Sequence, residues 1–271
     1  MSRLTDALRN IEEAQRQSRS ERVLFLEGPS DVPILCALLG NAAPARVKIP
    51  VVDDVALFGL TGKGGSGREA VEYHVTAATS RGIPHVHGIV DGDGVSLDRC
   101  RSEFDPPFAG PLFRWPAYSI EGMLAHGAPP PAPGIDSDAA LLAAIERYLP
   151  TAALNRLTTR IRDSLSRNGL SGFFTPALDS RLLTEEQLKQ RAGAVAGELA
   201  DIESLLDDEL RLVREWHSAG LDAALAAVNG KWLVAHLAGG GTALDDWCNV
   251  VRVNGVQPVR LWWQRCVAPP S

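Results

Sequence analysis

Short apolar runs alternate with amphipathic stretches from the start of the chain to about residue 125, after which helical spacing takes over. Residues 3–17 carry Leu4, Ala7, Leu8, Ile11 and Ala14 at helical intervals among charged residues and predict an opening amphipathic helix. The run Val23-Leu24-Phe25-Leu26 predicts a strand, stopped by the turn-forming Glu27-Gly28-Pro29-Ser30-Asp31. Val32 to Leu39 then predict a helix that ends at Gly40. A second strand is expected over Val47 to Val52, followed by a glycine-rich loop over 59–67 and a helix from Arg68 to Thr79. His85 to Val90 predict a third strand, ending in Asp91-Gly92-Asp93-Gly94. Leu112 to Trp115 predict a fourth, followed at once by a helix start within Pro116 to Leu124. Strand and helix in alternation define an α/β fold, a Rossmann-like and mainly parallel sheet flanked by helices, which binds ligands at the carboxyl ends of its strands.

Residues 127–137, rich in Pro, Gly and Ala, form the clearest linker. They divide the sequence into an α/β unit over 1–126, opening helix included, and a mostly helical region over 138–271. Helices are expected there at Ala139 to Tyr148, Ala152 to Arg167, Glu185 to Trp216 and Leu221 to Leu237. Breaks fall at Pro150, Asn168-Gly169, Gly220 and Gly239-Gly240-Gly241. The stretch from Asp245 to Val267 is richer in Val and Trp and is expected to return a strand.

With 271 residues, 45% of them hydrophobic and 22% charged, the chain can bury a sizeable core. No apolar run approaches the roughly 20 residues of a membrane span, and the opening residues are too polar for a signal sequence, so a cytoplasmic location is expected. Cys36, Cys100, Cys248 and Cys266 lack the spacing of a zinc site or a disulfide framework and read as ordinary thiols, mostly core. The net charge of −6 argues against holding nucleic acid by bulk electrostatics. Acids gathered around divalent cations reverse the local sign that a phosphate meets. A partner, or self-association as a homodimer, can also supply the missing basic surface.

Three acids fall at predicted strand ends. Glu27 precedes a glycine that lets the backbone turn sharply and leaves the carboxylate exposed. Asp91 and Asp93 stand two apart across Gly92 and can address one ion. Carboxylate oxygens suit hard cations such as Mg2+ or Mn2+, and two such ions can activate a water and stabilise a leaving oxygen in phosphodiester cleavage. Each motif alone has a plain structural role, since Asp31 can cap the following helix and Asp-Gly-Asp-Gly suits a tight turn. Acids at adjacent strand ends, however, repel one another without a cation.

Val23 to Asp31, V-L-F-L-E-G-P-S-D, resembles the first TOPRIM motif, and Ile89 to Asp93, I-V-D-G-D, resembles its D-x-D motif. Tyr118 to Leu124, Y-S-I-E-G-M-L, is similar to the Y-S-I-E-N-x-L stretch of the overcoming-lysogenization-defect (OLD) branch and of stand-alone TOPRIM proteins encoded beside ABC-type ATPases, with Gly122 in place of the Asn. The resemblance covers residues 21 to about 125. It implies that Glu27 is a metal ligand and general acid or base, that Asp91 and Asp93 hold the catalytic metal, and that Asp31 and Glu121 serve a second metal position, with Ser119 as a neighbour. Lys63 in T-G-K-G-G-S-G resembles the G-G-K segment of these proteins, and Lys231 in Asn229-Gly230-Lys231-Trp232 resembles a late G-K segment. Either lysine is then placed to neutralise charge on a pentavalent phosphate. The implied protein is a Mg2+- or Mn2+-dependent nuclease acting on DNA or RNA, transfer RNA included, as the effector of an ATPase-coupled anti-phage system.

Two other functions fit parts of the pattern. Val90 to Val95 also resembles the D-x-D-G-T/V motif of haloacid-dehalogenase-like phosphatases, in which Asp91 would attack phosphorus and Lys231 and Asp245-Asp246 would be the later motifs; Glu27 then has no role. A non-catalytic TOPRIM-like module acting inside an assembly would keep the same acids. ATP binding at the glycine-rich loop is excluded, because Gly59 to Lys63 has the wrong spacing for a Walker A loop and Gly64 follows the lysine.

Among the remaining polar residues, His85 and His87 alternate upstream of the strand end and read as buried, hydrogen-bonded histidines. His217 and His236 lie on predicted helices without a partner at ligand spacing. The acidic run Glu198 to Glu215 reads as a solvated helix face or the arm of a helical hairpin. Arg156, Arg160, Arg162 and Arg167 share one helix and suit phosphates, an acidic partner or plain surface equally.

Overall fold

The computed structural model describes residues 22–42, 55–59, 67–93, 95–106, 110–161, 184–195, 199, 201–237 and 241–267. The opening helix, the strand expected at Val47 to Val52, Lys63, Arg162 and Arg167 lie outside these residues. Four parallel strands form one sheet, β1 (Arg22–Leu26), β2 (Val55–Gly59), β3 (Val86–Val90) and β4 (Leu112–Arg114), in the order β2-β1-β3-β4. Helices link them in turn: α1 (Asp31–Leu39), α2 (Gly67–Ser80) and α3 (Leu97–Phe104). The chain steps from β1 outward to β2, then returns across β1 to β3, so the winding direction reverses between β1 and β3. In open α/β sheets that reversal opens a crevice at the carboxyl ends of the two strands.

The continuous apolar character of β1 has a direct cause, because both sheet faces are covered. Leu24 and Leu26 turn toward α1 and the helical half, whereas Val23 and Phe25 pack with Val71, Val75 and Ala78 of α2. His85 precedes β3 in a left-handed conformation at φ 57° and is exposed, while His87 is half-buried with its ring 5.9 Å from that of Phe113. The expected buried pair is therefore one exposed turn residue and one packed strand residue.

The helical half comprises α4 (Asp138–Glu146), α5 (Leu149–Arg160), α6 (Glu185–Val195), α7 (Ile202–Ser218), α8 (Leu221–Ala227), α9 (Gly230–Leu237), α10 (Gly241–Arg252) and α11 (Gln257–Trp262). The break expected at Pro150 falls just ahead of it, between α4 and α5, and Pro150 sits in the first turn of α5, where its missing N–H costs nothing. The single helix expected over Glu185 to Trp216 is two, with Asp201 in a left-handed conformation ahead of α7. Leu221 to Leu237 likewise divides, at the extended Val228. The returning strand expected within Asp245 to Val267 is absent among the described residues; α10, α11 and a π-helical turn at Trp263–Val267 stand there instead. The reason is spacing: Ala243, Trp247, Cys248 and Val251 are buried at helical intervals, and this periodicity outweighs the β preference of Val and Trp.

One apolar cluster runs through both halves, from Leu24 and Leu35 to Trp247 and Trp262. Trp262 joins them most directly, since its ring lies 5.6 Å from Phe104, 5.4 Å from Phe113 and 5.6 Å from Trp115. Backbone bonds reinforce the contact, with Val256 N–H donating to Leu38 O at 2.6 Å, and the Trp247 indole donates to Ala128 O at 2.9 Å. No helix among the described residues is long and apolar enough to cross a membrane. Trp262→Ala is expected to lower unfolding stability in urea by about 3–5 kcal/mol, whereas Val253→Ala, at an exposed site, should change it by less than about 0.5 kcal/mol. Equal effects would show that Trp262 does not tie the halves together.

Candidate metal centre

Both sides of the crevice carry a carboxylate fixed by the opposing backbone. Glu27 follows β1 directly, and its Oε1 accepts the Asp91 N–H at 2.9 Å, a bond across the reversal point between residues 64 apart in sequence. Asp91 follows β3, and its Oδ1 accepts the Ile120 N–H at 3.0 Å, which draws in the 3-10 helix Ile120–His126. Asp31 opens α1, but its side chain does not cap the helix ahead of it. Instead Oδ2 accepts the Gly28 N–H at 2.9 Å and closes the Glu-Gly-Pro-Ser-Asp turn on itself.

The second aspartate of the D-x-D motif is set by its backbone. Asp93 adopts φ 49°, a left-handed conformation that Asp tolerates better than most residues, while its N–H donates to Tyr118 O at 2.9 Å. Gly92 makes this turn possible. A Cβ there would lie 2.1 Å from the Ala117 carbonyl oxygen, so only glycine lets the loop rest on the segment after β4. Arg114, buried at the end of β4, donates from Nη1 to the Asp91 carbonyl at 3.0 Å and from Nε to Glu103 at 3.0 Å.

The segment after β4 and the helical half supply the rest. Glu121 is buried and accepts from Ser119 Oγ at 2.7 Å, and that hydroxyl oxygen in turn accepts the Gly230 N–H at 3.1 Å. A Cβ at Gly230 would meet Gly122 N at 2.5 Å and Ser119 Oγ at 2.7 Å, so the start of α9 is pressed against the 3-10 helix. Lys231 thereby comes within electrostatic range of Glu121, Asp91, Asp31 and Glu27.

Charge crowding is the common property of these side chains. Burial raises the Glu27 carboxyl above its ordinary pKa, the Asp91 N–H offsets part of this, and Asp93 and Asp31 push it further up. Burial likewise raises Asp31, with repulsion from Glu121 adding to it. Asp91 stands well above the usual carboxylate range, through burial first and then through Glu27, Glu121, Asp31 and Asp93. For Lys231, burial opposes the charged form but is outweighed by those same acids, and its pKa rises. Tyr118, beside Asp93, is pushed up to about 12 chiefly by burial.

The structure thus brings Glu27, Asp31, Asp91, Asp93, Glu121 and Lys231 to one sheet edge; Lys63 lies outside the described residues. Among the described residues, no three His, Cys, Asp or Glu side chains already meet as the ligands of one ion would. The acids are neighbours by charge rather than a closed cage. Their chemistry nonetheless fits a divalent ion: the donors are all oxygens, and burial with mutual repulsion leaves them short of positive charge.

Sequence reasoning missed Arg68, whose Nη1 lies 3.5 Å from Asp93 Oδ2, and Arg114; neither belongs to a recognisable motif. It also left Arg156 and Arg160 open as phosphate contacts. Both instead pair with the buried Glu209, at 2.7 and 3.3 Å, and Arg156 stacks 4.6 Å from the Trp216 ring. Glu209 thus departs from the solvated face expected of its run. His217 Nε2 donates to Leu142 O at 2.9 Å. Asp245 and Asp246 are exposed on α10. Cys100 and Cys248 are buried free thiols, each pushed up to about 11 chiefly by burial, and Cys36 is half-buried. Comparison with family models, curated proteins and solved structures finds no match.

Two outcomes test this geometry. Gly230→Ala should cost about 1–3 kcal/mol of stability, since its new methyl meets backbone that cannot yield, and a neutral effect in urea unfolding would refute the close packing of α9 on the 3-10 helix. The second concerns pH. Carboxyls with raised folded-state pKa hold protons more tightly folded than unfolded, so their stabilising contribution is complete below the ordinary carboxylate pKa and is lost as pH rises through the raised values. Metal-free protein is therefore strained at neutral pH. Asp91→Asn, which keeps Oδ1 as acceptor for Ile120, should melt a few degrees above the parent in EDTA at neutral pH, with the advantage shrinking as pH falls into the carboxylate range. A variant no more stable than the parent at any pH would exclude repulsion at Asp91.

Proposed function

We propose that the chain is a divalent-metal-dependent nuclease of the TOPRIM type, acting on phosphodiester bonds of DNA or RNA, transfer RNA included, as the effector of an ABC-type, OLD-like ATPase in anti-phage defence. The carrying observation is the convergence of Glu27, Asp31, Asp91, Asp93 and Glu121 at the winding reversal of a parallel sheet, where burial and neighbouring charge raise the proton affinities of Glu27, Asp31 and Asp91.

Glu27, Asp91 and Asp93 would hold a Mg2+ or Mn2+ ion, and Asp31 and Glu121 would serve a second position. A bound ion supplies an activated water and charge for the leaving oxygen. Glu27, with one oxygen on the Asp91 N–H, has its other oxygen available to take or return a proton. Lys231, kept protonated by the acids around it, neutralises charge on the phosphate. Ser119 orients Glu121 and links it to the start of α9. A phosphatase in which Asp91 attacks phosphorus draws less support, because it leaves Glu27, fixed against the Asp91 N–H at 2.9 Å, without a role.

The purified chain, alone and with an ATPase encoded by a neighbouring gene, should be incubated with plasmid DNA, total RNA and a phosphomonoester in Mg2+ or Mn2+. Metal-dependent nucleic-acid cleavage is expected, reduced about a hundredfold or more in Glu27→Gln and in Asp91→Asn. Cleavage untouched by both substitutions would sink the site. Phosphate release from the monoester that Asp91→Asn abolishes and Glu27→Gln spares would establish the phosphatase instead.

A further inference from the structure

Arg68 occupies the first turn of α2, which packs on the sheet face opposite α1. Gly67 sets its position. A Cβ on Gly67 would lie 2.4 Å from the Glu27 carbonyl oxygen, so the bare backbone lets the start of α2 rest directly on the end of β1. The guanidinium then has two differently held ends. Nε donates to Glu72 Oε1 at 2.8 Å, one turn along the same helix, whereas Nη1 reaches across to Asp93 Oδ2 at 3.5 Å. Its charge also acts on Glu27.

The two contacts differ in how easily they give way. The Glu72 bond is short, local and part of the helix surface. The Asp93 contact is long, and its side chains keep 30% and 39% of their exposure, so an interaction of this kind shifts an equilibrium by about fivefold at most. A divalent cation carries twice the charge and bonds carboxylate oxygens directly. Competition for Asp93 therefore favours the metal.

We infer that Arg68 is the resident counter-cation of this edge: it neutralises Asp93 and Glu27 while no metal is bound, and metal entry displaces Nη1 from Asp93 while Glu72 retains the Nε end. The inference rests on the proposed metal centre. It accounts for how the carboxylates share one edge in metal-free protein, and it makes the guanidinium conditional. Only with metal in place is the Nη1 end free to donate to a phosphate oxygen, for which a fork already held at Nε is preorganised. Because metal and Arg68 contend for one carboxylate, each weakens the other by the same factor.

Calorimetric titration of Mn2+ into the metal-free full chain, its Arg68→Met variant and an Arg211→Met control tests this, Arg211 being exposed on α7. Arg68→Met is expected to bind Mn2+ at least about twofold more tightly than the parent and to melt lower in EDTA, while the control keeps the parent's metal affinity. Equal or weaker binding by Arg68→Met, beside a parent that does bind, overturns the inference and leaves the metal centre standing. A parent that binds no Mn2+ overturns both. If Arg68→Met does not fold, side-chain NMR of the parent titrated with Mg2+ decides. Rotation at the Arg68 Nη groups should quicken while the Nε–H signal keeps its Glu72-bonded position; Nη signals unchanged in the metal-bound protein overturn the inference.

Discussion

Backbone amides hold Glu27, Asp91 and Asp31 where they are, and Arg68 adds a counter-charge at Asp93. Glu27 takes the Asp91 N–H, Asp91 takes the Ile120 N–H and Asp31 takes the Gly28 N–H. The first bond ties the end of β1 to the end of β3, the second ties β3 to the segment after β4, and the third closes the turn after β1 on itself, all through the very groups that repel. Such bonds stabilise the ionised form. They do not suffice: burial and mutual repulsion still raise the proton affinity of all three acids. The fold carries this cost because the apolar cluster shared by both halves determines which backbone segments meet.

That shared core also changes what the helical half is for. A linker of Pro, Gly and Ala suggests an appendage, yet α9 delivers Lys231 to the acids and α8 receives the Tyr118 N–H on Leu225 O at 2.9 Å. Glycine governs the final approach. At Gly92 and Gly230 any side chain would strike backbone, so the spacing between the D-x-D turn, the 3-10 helix and α9 is as small as main-chain contact allows. The edge is thus assembled from four stretches of sequence, two of them contributed by segments that follow the last strand.

Strands and acids were legible in the sequence because each rests on local rules. β1, β3 and β4 fall where short apolar runs stop at turn residues, and Glu27, Asp91 and Asp93 are conspicuous as charges directly after such runs. The parallel α/β sheet followed from the alternation of strand and helix. The C-terminal strand was misread because Val and Trp composition was given weight over their helical interval, which the burial of Trp247 and Val251 makes plain. Arg68 and Arg114 could not be found by any local rule. Their roles arise from contacts with Asp93 and with the Asp91 carbonyl, which depend on how β1, β3 and β4 lie side by side. Glu209 was hidden for the same reason, since only packing of α7 on α5 places Arg156 and Arg160 around it.

The pairing of those arginines bears on how a chain of net charge −6 would meet a polyanion. Arg156 and Arg160 gave the sequence its most promising basic track, but both pair with Glu209, which cancels one of their two charges and weakens the field they offer a phosphate backbone. Among the described residues, the cations facing the acid edge are Arg68 and Lys231, and without metal the charges of both act on its carboxylates. A phosphodiester approaching that state meets a net negative surface. With divalent ions bound, the carboxylates are neutralised, Arg68 loses its claim on Asp93, and the local sign reverses. Under the proposed function, metal loading therefore precedes substrate binding, and, with a net charge of −6 arguing against bulk attraction, a second subunit or an ATPase partner supplies further basic surface.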